Sequence, residues 1–174
     1  MIYRKADRET SDSVSNMYGE TLVSKDVIAK MGGSCLLLRT RLISRVITAI
    51  YDEKLKPFGI GSAQFALLVV IDQIGPATRA EIGCFQHQDP SVLTRNLKVM
   101  LAEGWIEEVK YQANARSRPD GRNRPVMMTK AGADLLRKAE PAWQTAQAQA
   151  KALLGKDGMI AIMDIGNRIM GPAP

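Results

Sequence analysis

The chain has 174 residues, enough for one domain with additional arms, and its 45% hydrophobic content supports a buried core. Its formal charge of +6, from 24 basic and 18 acidic residues, favours an anionic partner without choosing among nucleic acid, a membrane surface and an acidic protein. The aromatic fraction of 5% counts against a protein that stacks single-stranded bases on aromatic side chains.

Several classes of protein are disfavoured by what the sequence lacks. Two cysteines, Cys35 and Cys84, make no disulfide framework, and a single histidine, His87, gives no convincing metal site. We find no apolar run of membrane-spanning length, no signal-like N-terminus, no Ser/His/Asp set and no phosphate-binding loop. The sequence therefore predicts a cytoplasmic protein that is not an enzyme, with no metal, no cofactor and no membrane partner.

The first part of the chain divides into a polar arm and a long helix. Residues 1–33 are polar and charge-balanced, which indicates an arm that is loosely ordered or packed on a partner subunit. Gly32-Gly33-Ser34 predicts a break, and a helix is expected over 35–56, ended by Pro57 and Gly59. The apolar surface of this helix is broader than one neighbour needs, which is typical of a subunit interface.

The next two predicted helices are short and sharply bounded. Residues 62–74 form a helix with Ser62 as the N-cap, although the continuous apolar run 65–71 also fits a buried strand. Thr78 and Glu81 have the spacing of a capping box, and that helix runs to about Phe85. Gln86-His87-Gln88 is then a turn.

The stretch 89–105 carries signals for both ends of a helix. Asp89 is a good N-cap, Pro90 suits the first helical position, and Gly104 ends the helix. One face is apolar, with Leu93, Leu97, Met100 and Leu101, and the other is polar and basic, with Ser91, Thr94, Arg95 and Lys98. On this stretch alone an ordinary amphipathic surface helix is the better interpretation. The short helix and turn before it instead favour a helix-turn-helix whose second helix enters the DNA major groove.

Two predicted strands follow, around a basic loop. Residues 105–111 and 125–129 flank a Pro-Asp-Gly turn and predict a β-hairpin. Between 110 and 124 the one acid is Asp120, and the bases are Lys110, Arg116, Arg118, Arg122 and Arg124. A solvated basic loop is the alternative, but the position directly after a helix-turn-helix favours a wing that reaches the minor groove and phosphates.

The C-terminal part is predicted to be helical and unusually apolar. Thr129 caps a helix from Lys130 to about residue 154, with a kink at Pro141, and residues 159–170 form the last helix. We expect this tail to pack against helix 35–56 and against the same elements of a second chain.

From about Cys35 to its end the sequence resembles the MarR family of bacterial transcription regulators. Residues 91–97 match the family's reading helix, and residues 101–106 match its exit into the first wing strand. Residues 120–122 match the wing, 128–132 the entry to the long helix, and 55–65 the entry to the second helix. The turn departs from the family pattern because Gln86-His87-Gln88 replaces a glycine with apolar neighbours. Histidine tolerates positive φ better than most residues, so the turn can close. Gly83 replaces a small alanine.

The resemblance implies a mostly α fold with a small β-hairpin, made of a winged helix-turn-helix and a helical dimerisation region. The implied divisions are an arm over 1–33, a dimerisation region over 34–57 and 130–174, and a DNA-binding domain over 58–129. It also implies a homodimer that binds a pseudo-palindromic site in double-stranded DNA. Two-fold symmetry would place the reading helices roughly 34 Å apart.

The candidate DNA-binding residues are Ser91, Thr94, Arg95, Lys98, Arg116, Arg118, Arg122 and Arg124. Arg95 is expected to read guanine through two hydrogen bonds, and Arg122 to enter the minor groove. Asp120 is expected to steady an arginine, because a carboxylate beside a phosphate would repel it.

The resemblance further implies a repressor released by a small anionic or phenolic ligand, bound between helices 35–56 and 62–74. Arg41, Arg45 and Gln64 are the candidate ligand-binding residues, although interhelical salt bridges are at least as good an interpretation of the two arginines. One alternative is thiol-based sensing through Cys35 at a helix N-terminus near Arg39, with Cys84 expected in the core. Another is an architectural or protein-docking module that binds nucleic acid without specificity.

Overall fold

The computed structural model of the protein describes residues 23–109 and 124–170. The described residues form the helices α1 (Lys25–Ser34), α2 (Leu36–Leu55), a 3-10 helix (Lys56–Phe58), α3 (Ser62–Ile74), α4 (Arg79–Gln86), α5 (Pro90–Ala102) and α6 (Lys130–Met170), and the strands β1 (Ile106–Glu108) and β2 (Val126–Met128). The chain divides into two compact units between Ser44 and Arg45, within α2. The arm up to residue 22 and the loop 110–123 lie outside the described residues.

In the N-terminal unit, the break predicted at Gly32-Gly33-Ser34 is wrong. Helix α1 begins after the N-cap Ser24, whose hydroxyl accepts from the Asp26 N–H, and continues through both glycines. The Ser34 hydroxyl donates to the Lys30 carbonyl at 2.8 Å, a bond internal to the helix. Each glycine lowers helix stability by only about 1 kcal/mol relative to alanine, so the helix tolerates two glycines. The break comes instead at Cys35, with φ −71° and ψ 114°.

The core of the second unit is built around α3. Leu67, Leu68 and Ile71 of this helix are buried, and they pack in one cluster with buried side chains of α2, α4, α5, both strands and α6: Leu55, Ile82, Leu93, Leu97, Met100, Ile106, Val126 and Ala139. A helix covered on most sides needs few polar positions. This explains why residues 65–71 are continuously apolar and confirms the prediction of a helix rather than a strand.

The start of α3 is capped differently from the prediction. Gly61 is the N-cap and Ser62 is the first helical residue, so Ser62 is not the cap. Its backbone N–H donates to Asp52 Oδ1 at 2.7 Å. The carboxylate ten residues upstream, on α2, therefore satisfies one of the free N–H groups at the helix start.

The strands confirm the predicted hairpin stem. β1 and β2 are antiparallel, with Ile106 opposite Met128 and Glu108 opposite Val126. Ala77, just before α4, adds a bridge to Val126, with N–O distances of 3.1 and 2.8 Å. The stem is thereby joined to the start of the helix-turn-helix.

Helix α6 departs from helical dihedral angles at Gly155, with φ 67° and ψ 173°, which confirms the predicted end of one helix at about residue 154. Pro141 lies inside the helix, and the kink expected there stays a prediction. Beyond Gly155 α6 presents a row of exposed apolar side chains: Ile160, Ile162, Met163, Ile165, Ile169 and Met170. In the described part of the chain no single helix could span a membrane. Helix α2 with the 3-10 helix, taken together with α3, is long and apolar enough for a membrane span, but the two are sharply bent relative to each other.

Gly132 marks the closest approach of α6 to the hairpin. It is buried, and a Cβ added there would lie 2.3 Å from the Trp105 carbonyl oxygen. We expect Gly132→Ala to lower the free energy of unfolding by about 1–3 kcal/mol, because backbone must move to admit the methyl group. Urea denaturation measures this. Gly166→Ala on the same helix is the control, since its Cβ would meet nothing within 4 Å. Equal stability of the two variants would contradict the prediction.

Candidate nucleic-acid interface

Helix α4 and the turn after it have the predicted geometry. The Thr78 hydroxyl accepts from the Glu81 N–H, and Glu81 Oε2 accepts from the Thr78 N–H at 2.7 Å, which completes the capping box. His87 adopts the left-handed conformation, with φ 49° and ψ 36°, and the Gln88 N–H donates to the Gly83 carbonyl. The turn therefore closes without the glycine that the family pattern has there.

Both ends of α5 are fixed as the sequence predicts. Asp89 Oδ1 accepts from the backbone N–H groups of Ser91 at 2.8 Å and Val92 at 3.3 Å. The hydrogen bond from the Ser91 hydroxyl, followed by those from the two backbone N–H groups, lowers the pKa of the Asp89 carboxyl below its usual value. At the other end Gly104 has φ 69°, and the Trp105 N–H donates to the Met100 carbonyl at 3.0 Å, as in a Schellman motif.

The polar face of α5 is solvent-exposed. Leu93, Leu97 and Met100 are buried on the opposite side, so all four predicted contact residues, Ser91, Thr94, Arg95 and Lys98, point away from the core. The Thr94 hydroxyl donates to the Pro90 carbonyl at 2.7 Å and the Ser91 hydroxyl donates to Asp89. Both hydroxyl oxygens are left with acceptor capacity. Arg95 and Lys98 form no ion pair with any residue in 23–109 or 124–170, so their charges are available to an outside anion.

The stem of the hairpin carries an ion-pair cluster that the sequence did not reveal. Glu108 lies 3.2 Å from an Arg79 guanidinium nitrogen and 3.6 Å from one of Arg124. Arg124 is exposed, as predicted, but it is held by Glu108 rather than left alone. Arg116, Arg118 and Arg122, with Asp120, lie outside the described residues. No local pattern links residues 79, 108 and 124, because only the fold brings them together.

A pocket of about 580 Å³ lies between the C-terminal half of α2 and the start of α3. Its lining residues are Thr48, Asp52, Lys56, Gly59, Ile60, Gly61, Ser62, Ala63 and Gln64. Of the predicted ligand-binding residues it includes Gln64, and Arg45 is not part of the lining. Arg41 belongs to the N-terminal unit. Both arginines are exposed, and neither forms an ion pair with a described residue, so the predicted salt bridges are not seen there.

The side chain of Gln64 extends from this pocket to α5. Its Nε2 donates to Asn96 Oδ1 on α5 at 2.8 Å, in a partly buried hydrogen bond. The sequence did not predict a role for Asn96, because a single asparagine in an amphipathic helix gives no indication of which residue it will contact.

The cysteines correct one expectation. Cys84 is exposed and not in the core. Ile82 is the residue of α4 that enters the core, and a residue two positions later lies about 200° around a helix. Cys35 is half-buried, and Arg39 donates to the Gly33 carbonyl at 3.3 Å. Among residues 23–109 and 124–170, no group of three or more His, Cys, Asp or Glu side chains is placed to hold a metal ion.

A capped short helix, a left-handed turn, a second helix with an exposed basic face and an antiparallel stem define a winged helix-turn-helix. Residues 60–117 match the model of the MarR family, the family that the sequence resembles. A relative from Bacillus subtilis (strain 168), the uncharacterized HTH-type transcriptional regulator YwoH, is 31% identical over 87 residues. That match spans 50% of this chain and 58% of YwoH.

Solved structures show the same fold. The M. tuberculosis transcriptional regulator MosR in complex with DNA is 28% identical, with a TM-score of 0.62 over 78% of this chain and 96% of that chain. A mutant E. coli MarR complexed with operator DNA has a TM-score of 0.65 at 20% identity, over 87% of this chain and 100% of that one. Wild-type apo MarR from E. coli has a TM-score of 0.61 at 22% identity, over 79% and 98%.

The Asp89 cap makes the helix-turn-helix sensitive to acid. Because the pKa of Asp89 is lowered in the folded state from its usual 3.8, its contribution to stability is complete above that value and is lost as the pH falls through the folded pKa. Asp89→Asn keeps a capping oxygen that does not titrate. We expect the stability of wild type relative to Asp89→Asn to fall on acidification from pH 6 to about pH 2. Urea midpoints measured at each pH test this, and a pH-independent difference would contradict it.

Proposed function

We propose that the protein is a transcription regulator that binds a specific site in double-stranded DNA. The observation that carries the proposal is the exposed face of α5, where Arg95 and Lys98 have no ion-pair partner among the described residues and both helix ends are fixed. A helix held in this way can present a guanidinium to the two acceptors of guanine in the major groove. The similarity to MosR and E. coli MarR, whose structures were solved with DNA and operator DNA, supports it.

We infer that Lys98, Ser91 and Thr94 contact phosphates and base edges beside Arg95. We also propose that Arg116, Arg118 and Arg122 bind DNA, as the sequence predicts for a wing, and that Arg124, which lies near Glu108, contacts the flanking phosphates. Phosphate contacts fix the register on the duplex, whereas base contacts specify sequence. This division gives the reading helix the specificity and the wing much of the affinity.

The active form proposed is a homodimer on a pseudo-palindromic operator. Its support is the amount of apolar surface that the chain leaves uncovered, which is more than scattered single residues would give. The N-terminal unit exposes Leu36, Leu37, Leu38 and Leu42, and the end of α6 exposes Ile160, Ile162, Met163 and Ile169. A second copy of the chain would bury such surfaces symmetrically.

We propose that a small anionic or phenolic ligand releases this dimer, a repressor, from DNA. The α2–α3 pocket is the supporting feature, with Lys56 as a cation in its lining and Gln64 as a donor. Arg41 and Arg45 remain candidates for a site completed by a second chain. A ligand of this kind acts only if it binds more tightly to a form that does not fit DNA.

The reading role of α5 is tested by titrating the protein with DNA from upstream of its own coding region and with scrambled DNA at fixed salt. We expect selective binding, and Arg95→Ala should weaken it by about 1–3 kcal/mol because two hydrogen bonds to a base are lost. Arg122→Ala should also weaken it. Arg137→Ala, an exposed arginine on α6, is the control. Equal weak binding to both DNAs, unaffected by Arg95→Ala, would point to a non-specific architectural module instead.

The dimer is tested by placing a charge on the exposed apolar row of α6. Ile169 is 61% exposed in the single chain, and Ile169→Asp should shift the protein toward monomer because a carboxylate would be buried at the interface. Light scattering coupled to size exclusion measures the mass. Asn167→Asp adds the same charge on the same helix at an exposed polar position and should leave the mass unchanged. A monomeric wild type, or a dimeric Ile169→Asp variant, would contradict the proposed interface.

A further inference from the structure

Helices α3 and α5 are joined by a polar contact as well as by apolar packing. The apolar part, Leu67, Leu68 and Ile71 against Leu93 and Leu97, belongs to the core. Hydrophobic contacts are non-directional: they decide which face of each helix is buried, but they restrain small rotations about the helix axis less sharply than a hydrogen bond does. The Gln64–Asn96 hydrogen bond, at 2.8 Å, is directional and supplies that restraint.

Asn96 is well placed to transmit such a restraint. It is half-buried, adjacent in sequence to Arg95 and Leu97, and its own Nδ2 donates to the Val92 carbonyl at 3.2 Å. Its amide is therefore held from both sides, by α3 and by the preceding turn of α5. A change in the position of Asn96 must also change the direction in which Arg95 points, because neighbouring residues share one rigid helix.

The other partner, Gln64, lines the α2–α3 pocket. A Cβ added at Gly61 would lie only 2.7 Å from Gln64 Oε1, which shows how little space separates this amide from the pocket wall. The oxygen of this one amide thus faces the pocket residue Gly61, while its nitrogen binds Asn96 on α5. Anything that enters the pocket beside Gly61 must displace the amide or stay away from it.

We propose that Gln64 and Asn96 are positioning residues for DNA binding, and that occupation of the α2–α3 pocket weakens DNA binding by breaking their hydrogen bond. The proposal rests on the proposed function, since it names how the same DNA-binding face is controlled. The net contribution of a hydrogen bond between neutral groups changes an equilibrium constant by roughly two- to tenfold. Loss of the Gln64–Asn96 hydrogen bond should therefore lower the DNA affinity without abolishing it.

Gln64→Leu removes the donor with little change in side-chain volume. We expect it to weaken binding to the upstream DNA roughly two- to tenfold, while binding to scrambled DNA and the urea midpoint change little. Gln73→Leu is the matched control, because Gln73 is exposed on the same helix. The exchange Gln64→Asn with Asn96→Gln keeps the combined side-chain length and should restore part of the loss. A Gln64→Leu variant with wild-type affinity would overturn the positioning role.

The link to the pocket is tested without any ligand by Gly61→Ala. Gly61 has φ −89°, so alanine fits the backbone, and its methyl group presses on the far end of Gln64. We expect Gly61→Ala alone to weaken DNA binding to the same extent as Gln64→Leu, and to have no further effect in the Gln64→Leu background. Independent, additive losses would overturn the pocket link, since they would show that Gly61 acts by another route.

The outcomes separate this inference from the function on which it rests. If the wild-type protein does not distinguish upstream from scrambled DNA, the proposed function fails first. If it does distinguish them and the Gly61–Gln64 cycle is additive, the function stands and the pocket link fails.

Discussion

The burial of Leu93, Leu97 and Met100 against α3 determines what the rest of the structure can do. Side chains on a helix are spaced by 100°, so the burial of these three residues also determines which residues of α5 face the solvent. Arg95 and Lys98 are exposed because their neighbours in the sequence are buried. Hydrophobic burial stabilises the domain, and the helical geometry then places the side chains of Arg95 and Lys98 on the exposed face.

The ends of α5 make that orientation rigid. Asp89 satisfies the first N–H groups, and the Gly104 turn satisfies the last carbonyls. The chain after Gly104 is held as well, because the Thr129 hydroxyl donates to the Gly104 carbonyl at 2.6 Å and the Thr129 N–H donates to the Trp105 carbonyl. Gly132 then lets α6 approach the same backbone. The end of α5, the hairpin stem and the start of α6 are therefore joined by direct contacts.

What the sequence predicted correctly depends on interactions between residues close in the chain. The capping box of Thr78 and Glu81, the Asp89 cap, the left-handed His87 and the Gly104 end all lie within a few residues of their partners, so their patterns are readable. The contacts that the sequence did not reveal involve partners that only the fold brings together. Asp52 caps α3 from ten residues away, Glu108 binds Arg79 across 29 residues, and Gln64 meets Asn96 across 32. Cys84 was misplaced because a short helix shows too few turns for its buried face to be read from the sequence.

Glu108 shows how an acidic residue can coexist with a surface proposed to bind DNA. It lies between Arg79 and Arg124 at the stem of the hairpin, with all three side chains partly exposed. Ion pairs at such sites contribute roughly 0–1 kcal/mol, so a phosphate that arrives there competes at little cost. Until then the carboxylate keeps two flexible guanidinium groups near the position where the DNA backbone would pass, which reduces the side-chain entropy lost on binding. Arg95 and Lys98, by contrast, form no ion pair with any residue that the structure describes, so a base edge or phosphate that bound there would have no such pair to break.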